Sequence, residues 1–276
     1  MTGTYRVACQ QLAPHIGQPQ LNLERSLAAI RDAALAGARL VVLPELALSG
    51  YLFRDRKEAH EHAEGRDSPS LAAWAALART HQIIVVGGFC ERLADGEVAN
   101  ASVLIEPCGR RTFYRKAHLW DGETRIFTPG DQPPPVVDTA IGRVAMMICY
   151  DLEFPEWVRL AALAGAQLLC APVNWPAGPR PPAQRPAEVI RVQANASVNR
   201  LFVLACDRCG EERGTHWVGG TALVDADGHL LAGGDRSQHP RMLLADIAPA
   251  EADDKCISTC NHVLRDRRPQ LYGALL

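Results

Sequence analysis

Short, almost uninterrupted apolar runs alternate along this chain with stretches whose apolar residues recur at helical spacing. Val7-Ala8-Cys9 reads as a strand, and Leu23, Leu27, Ile30 and Ala34 then share one helical face, with Gly37 as the stop. Leu40-Val41-Val42-Leu43 is apolar at every position, the pattern of a buried strand. Ser68-Pro69 supplies an N-cap and a first-turn proline for a helix through about Thr80, and Ile83-Ile84-Val85-Val86 with Gly87-Gly88 is the next strand. This β-α-β-α-β order predicts parallel pairing with helices on the sheet face.

The pattern then changes. Ser102-Val103-Leu104-Ile105, the turn Pro107-Cys108-Gly109 and Thr112-Phe113-Tyr114 predict an antiparallel hairpin. A proline-rich loop over 129–135 leads to a further β stretch, a strand over 144–148, a helix starting near Pro155 and ending at Gly165, and a strand over 168–171. A second proline-rich loop, 172–186, precedes a helix over 187–199 and a strand over 201–204. Residues 218–224, the turn Asp225-Ala226-Asp227-Gly228 and residues 241–246 are expected to complete a more antiparallel second half. Both proline-rich stretches sit between a strand and a helix, so they are expected to border a site. The expected architecture is α/β, a single domain over 1–276 made of two packed mixed sheets with outer helices.

Composition narrows the partners. The chain has 276 residues, 47% of them hydrophobic, with 29 Lys+Arg against 31 Asp+Glu for a net charge of −2. Such a balance offers no electrostatic footprint for nucleic acid or an anionic membrane. No run approaches the ~18 apolar residues of a membrane span, and the first residues lack the pattern of a secretory signal, so a cytoplasmic protein is expected. The nine cysteines are an odd count, which argues against a disulfide framework in that compartment.

One cysteine differs from the rest. Cys149 stands at the end of the strand over 144–148, just before a segment that opens a helix. A strand-to-helix turn exposes a nucleophile and aims backbone N–H groups at the atom it attacks. A thiol of ordinary pKa ~8.5 also needs a base or a cation beside it. Glu45 and Lys116 occupy equivalent strand-end positions, where ligands of open α/β sheets gather. Cys206-x-x-Cys209 and the group of Cys256, Cys260 and His262 resemble zinc half-sites. Cys206 continues a buried strand and the second spacing is loose, so no metal and no cofactor are expected.

Three segments carry a resemblance. Leu43-Pro44-Glu45-Leu46-Ala47-Leu48-Ser49-Gly50-Tyr51, Tyr114-Arg115-Lys116-Ala117-His118-Leu119 and Ile148-Cys149-Tyr150-Asp151-Leu152-Glu153-Phe154-Pro155-Glu156 resemble, in this order and spacing, the catalytic segments of the nitrilase superfamily of carbon–nitrogen hydrolases. The likeness extends to Phe127-Thr128-Pro129-Gly130, Gly210-Glu211-Glu212-Arg213-Gly214 and Asp266-Arg267-Arg268. It implies a four-layer α-β-β-α sandwich and a triad of Glu45, Lys116 and Cys149, with Glu123 as a second glutamate. Oxyanion stabilisation would come from Lys116 and the Tyr150 N–H, and Tyr51, Trp120, Asn174 and Trp175 are candidates for the substrate pocket. Homodimers through helices and the C-terminal tail are usual in the family.

Within it, Cys149-Tyr150-Asp151 is similar to the amidase branch rather than to Cys-Trp-Glu nitrilases. Glu153 stands where dicarboxylate ω-amidases carry arginine, and the segment is closer to amidases of ω-amino-amides and to stereoselective amidases. The expected reaction is hydrolysis of a small aliphatic carboxamide. An N-carbamoyl amine or amino acid hydrolase is the alternative, with a nitrilase or keto-acid ω-amidase behind it.

Overall fold

The structure, a computed structural model, describes residues 3–179, 181 and 184–275. Part of the second proline-rich loop and the last residue of the apolar tail therefore lie outside the described residues.

The strands are β1 (Tyr5–Gln11), β2 (Leu40–Val42), β3 (Ile84–Arg92), β4 (Val98–Ile105), β5 (Arg111–Arg115), β6 (Val136–Thr139), β7 (Gly142–Met146), β8 (Leu168–Val173), β9 (Phe202–Asp207), β10 (Glu211–Glu212), β11 (Thr215–His216), β12 (Ala222–Val224), β13 (Leu230–Gly233) and β14 (Arg241–Ile247). The helices are α1 (Pro19–Leu35), α2 (Arg56–Glu61), α3 (Pro69–His81), α4 (Pro155–Leu163) and α5 (Ala187–Asn199). None is long and apolar enough to cross a membrane.

Two six-stranded mixed sheets face each other, in the orders β14-β1-β2-β3-β4-β5 and β13-β12-β9-β8-β7-β6. Each has a parallel centre, β1-β2-β3 and β7-β8-β9, flanked by antiparallel strands. The period-two geometry of strands explains why the central runs are apolar throughout. Val7, Cys9, Leu40, Val42, Ile84 and Val86 join the core between the sheets. Their neighbours Ala8, Val41 and Val85 pack outward under α1 and α3 with Ile30, Leu71 and Trp74. On the far side, α4 and α5 cover the second sheet with Val158, Ala161, Val189 and Val192. The layers are thus α-β-β-α, as expected.

Local signals act as read. Ser68 caps α3 by accepting from the Leu71 N–H, and Pro69 opens that helix. Gly37 follows the end of α1 at φ 84°, a left-handed stop that suits glycine.

Two expectations need correction. Residues 241–246 do not belong to the second half: β14 crosses back and pairs antiparallel with β1, Tyr5 opposite Ile247, while β12 takes β13 as its hairpin partner. The strand expected over 218–224 shrinks to Ala222–Val224. Before it, the Val218 N–H donates to Trp175 O, the Gly220 N–H to Asp207, and Gly219 turns at φ 62° against Ser237, so this stretch cannot run in a ladder.

Candidate active site

Glu45, Lys116, Glu123 and Cys149 meet at the edge where the parallel strands end. β2 runs through Leu43 and Pro44 into a turn in which Leu46 is left-handed, φ 50°. That turn lies on β3: the Ala47 N–H donates to Gly88 O at 2.9 Å and the Gly88 N–H to Pro44 O at 3.1 Å. A Cβ on Gly88 would sit 2.6 Å from the Glu45 Cα, so only glycine permits the approach. Lys116 directly follows β5, its N–H bonded to Asn100 O on β4 at 2.8 Å. Glu123 sits in a 3₁₀ turn, Asp121–Arg125, and its Oε2 accepts the Trp120 N–H at 2.7 Å.

Cys149 begins the 3₁₀ turn Cys149–Glu153 three residues after β7, with φ 47° and 8% of its surface exposed. Left-handed backbone at a non-glycine residue is strained. It recurs at Leu46, Asp121 and Cys149, in three of the segments that build the site.

The ionic geometry is close. Lys116 Nζ is fully buried, 2.8 Å from Glu45 Oε1 and 2.9 and 2.8 Å from Glu123 Oε1 and Oε2. Asn100 Nδ2 donates to Glu45 Oε1 at 2.7 Å and to Glu123 Oε1 at 3.0 Å. Glu45 Oε2 is buried and has no hydrogen-bond partner among the described residues.

Burial disfavours the Glu45 carboxylate, Lys116 opposes that, Glu123 adds to it, and the pKa is pushed up to about 7. Burial also works against the Lys116 ammonium, but Glu123 and then Glu45 outweigh it and hold its pKa above the ordinary lysine value. Burial first and Glu45 second raise the Cys149 thiol well above the usual cysteine range, with Lys116 pulling the other way. The resting thiol is therefore neutral.

A cavity of about 290 Å³ opens on Cys149, lined by Trp120, Tyr150, Asn174 and Trp175, and also by Glu153, Glu188 and Arg191. Tyr51 instead lines an adjoining cavity of about 200 Å³ with Glu123, Trp120 and Pro176. There burial, Glu123, Glu45 and Cys149 raise its phenol pKa. Asn174 follows β8, its carbonyl 3.6 Å from Cys149 Sγ and its Nδ2 donating to Glu45 O at 2.9 Å. Glu153 Oε1 is 2.5 Å from Arg191 Nη2 of α5. A guanidinium thus reaches this wall from another element. The first proline-rich loop borders a different cavity, beside Tyr114 and Arg115, so only the second lines the Cys149 pocket.

Sequence reasoning missed Asn100 and the reach of Asp151. The one signal for Asn100 is a lone amide inside the apolar run of β4, a buried polar group that must find partners. The suspected zinc ligands do not converge: Cys206 and Cys209 are buried with their thiols directed at Gln10 O and Leu12 O, while Cys256 and Cys260 are exposed. Among the described residues, the three potential ligands that do cluster are Asp225, Asp227 and His229, on an exposed turn.

A two-sheet sandwich with a buried carboxylate, ammonium and thiol at one strand edge defines a carbon–nitrogen hydrolase. The chain belongs to that family: the family model described as Carbon-nitrogen hydrolase matches residues 6–254. It is a nitrilase-superfamily member of the amidase branch, a hydrolase of carbon–nitrogen bonds other than peptide bonds. It is 33% identical to a nitrilase of Pyrococcus abyssi over 97% of this chain and 98% of that one. With an (R)-stereoselective amidase of a Pseudomonas species it shares 34% identity, over 97% and 93%. An amidase from a Nesterenkonia species superposes with a TM-score of 0.83 at 27% identity, covering 99% of this chain and 96% of that one. The Nesterenkonia amidase has also been solved with acrylamide and with butyramide.

Proposed function

We propose that this chain is a thiol-dependent amidase that hydrolyses small aliphatic carboxamides, ω-amino-amides among them, to carboxylic acid and ammonia through a thioester on Cys149. The observation that carries the reading is the Glu45 carboxylate. One oxygen is held by Lys116 and Asn100, the other is buried without a partner among the described residues, and the charge of the carboxylate raises the pKa of the Cys149 thiol.

In the first step Glu45 takes the thiol proton as Cys149 Sγ bonds to the carbonyl carbon. The oxyanion that forms is stabilised by the Lys116 ammonium and the Tyr150 N–H. Lys116 Nζ can turn one hydrogen of its bidentate contact with Glu123 toward that oxygen and keep a bond to each carboxylate. Protonated Glu45 then passes its proton to the departing nitrogen as the C–N bond breaks, releasing ammonia. Water activated by Glu45 and oriented by Glu123 hydrolyses the thioester and restores the thiol.

The acyl chain would enter the 290 Å³ cavity between Trp120, Tyr150 and Trp175. A small, largely apolar cavity suits a short chain, and the butyramide complex of the Nesterenkonia relative supports that size. Glu153 on the same wall, already paired with Arg191, is the carboxylate that an ω-ammonium group would meet there.

The test is a panel of butyramide, 5-aminopentanamide, a keto-acid amide, an N-carbamoyl amine and a nitrile, with ammonia and carbon dioxide followed in time. Ammonia alone from the first two, lost in Cys149→Ala, is expected. Carbon dioxide appearing with ammonia reassigns the chain to carbamoyl substrates, and undiminished activity in Cys149→Ala refutes the mechanism.

The whole chain is read as one hydrolase unit acting in the cytoplasm as a homodimer. Its support is an apolar groove in which Leu160 and Leu163 of α4, Val198 of α5 and Tyr272 of the tail stand exposed together. Sedimentation showing only monomer refutes the dimer.

A further inference from the structure

Lys116 and Cys149 come from different sheets, one after β5 and the other after β7. An oxyanion must nevertheless lie within hydrogen-bond reach of the first while bonded through carbon to the second. One side chain joins the two segments. Asp151 is fully buried, two residues beyond Cys149 in the same 3₁₀ turn. Its Oδ2 accepts the Ile148 N–H at 3.0 Å and the Tyr114 O–H at 2.7 Å. Its Oδ1 accepts the His118 N–H at 3.0 Å and lies 2.7 Å from His118 Nδ1.

Tyr114 and His118 stand two residues to either side of Lys116, and Ile148 immediately precedes Cys149. The partners are themselves fixed. Tyr114 Oη also accepts from Trp157 Nε1 of α4 at 3.0 Å, and the His118 ring stacks on Phe154 at 3.9 Å. None of the four bonds reaches Cys149 Sγ, Lys116 Nζ or the cavity on Cys149, which Asp151 does not line. A buried carboxylate with all its acceptor positions used is stiff, because each lost bond leaves a desolvated polar atom.

We propose that Asp151 is a positioning residue for amide hydrolysis, holding the Lys116 ammonium and the Cys149 sulfur at the separation the tetrahedral intermediate requires. It acts through Ile148, Tyr114 and His118 and touches no reacting atom. The proposal rests on the reading of Cys149 as nucleophile and Lys116 as oxyanion donor.

Asp151→Asn keeps the shape but puts an amide N–H₂ where two donors converge. Its kcat on butyramide is expected to fall about 10²-fold, the loss associated with a misplacement of about 1 Å. KM and the pH midpoint of kcat/KM stay within error, since the groups around Glu45 are unchanged. Alkylation of Cys149 by iodoacetamide, followed by mass spectrometry, also stays within about twofold, because a displacement at saturated carbon builds no oxyanion for Lys116 to meet.

Tyr114→Phe and His118→Phe each remove one side-chain bond to Asp151 and are expected to lower kcat. In combination with Asp151→Asn they add nothing further, as residues acting as a unit do. The proposal is overturned if folded Asp151→Asn keeps kcat within twofold. It is also overturned if alkylation and turnover fall together, or if the losses in the double variants multiply. Undiminished turnover in Cys149→Ala would instead overturn the underlying reading of the site.

Discussion

Replacing Asn100 by leucine isolates what sets the protonation of the base. Glu45 Oε1 receives two donors, Lys116 Nζ at 2.8 Å and Asn100 Nδ2 at 2.7 Å. Leucine fills the volume and removes the second, together with the 3.0 Å bond from Asn100 to Glu123 Oε1. A hydrogen bond to a charged group contributes about 1.5–3 kcal/mol, and one pKa unit corresponds to about 1.4 kcal/mol, so the loss is worth one unit or more.

Asn100 favours the ionised carboxylate, as does Lys116, while burial disfavours it. Without Asn100 the pKa moves up from about 7, to about 8 for one unit. The base must be ionised to take the thiol proton. The rising limb of kcat/KM against pH therefore shifts upward by about one unit, with roughly fivefold less activity at pH 7 and near-equal activity above pH 9. Initial rates of ammonia release at low butyramide between pH 5.5 and 9.5 read this directly. A limb that stays in place while all rates fall equally refutes the assignment of that limb to Glu45.

The backbone and the thiols carry two further predictions. Gly88→Ala drives a methyl into the Glu45–Leu46 backbone, which is expected to cost about 1–3 kcal/mol in chemical denaturation and to lower turnover in the fraction that remains folded. Iodoacetamide is expected to inactivate the enzyme through Cys149 and to label exposed Cys108, Cys256 and Cys260. Fully buried Cys9, Cys170 and Cys206 resist until unfolding. The triple serine variant of the exposed cysteines keeps both its activity and its sensitivity, which peptide mapping with parallel rate measurements checks.

The outline of this site was readable because strand ends carry their own signals. Leu40-Val41-Val42-Leu43 and Ile83-Ile84-Val85-Val86 are buried on both faces and so declare themselves as central strands. Glu45 and Cys149 follow central strands within a few positions, and Lys116 directly follows the edge strand β5. What stayed hidden depends on contacts that no local pattern encodes. Residues 241–247 are only half-buried and alternate weakly, so nothing in them says which sheet they join. Helix α2 is six residues long, mostly charged, and held by Asp55 accepting from the Glu58 N–H and by Glu58 pairing with Arg213. Asp151 could be read as part of a motif, but its partners at 114 and 118 lie across the interface between the sheets.

The return of β14 bears on how the protein is made. Because Tyr5 pairs with Ile247, the outer edge of β1 stays open during synthesis until residue 247 has left the ribosome. An unpaired edge of apolar strand residues invites association with other chains. The Glu45, Lys116 and Cys149 segments are all made long before that edge is closed. The chemistry of this fold is thus complete in sequence well before its frame is sealed, and truncation just before β14 would leave every reactive group present on a sheet with one side unfinished.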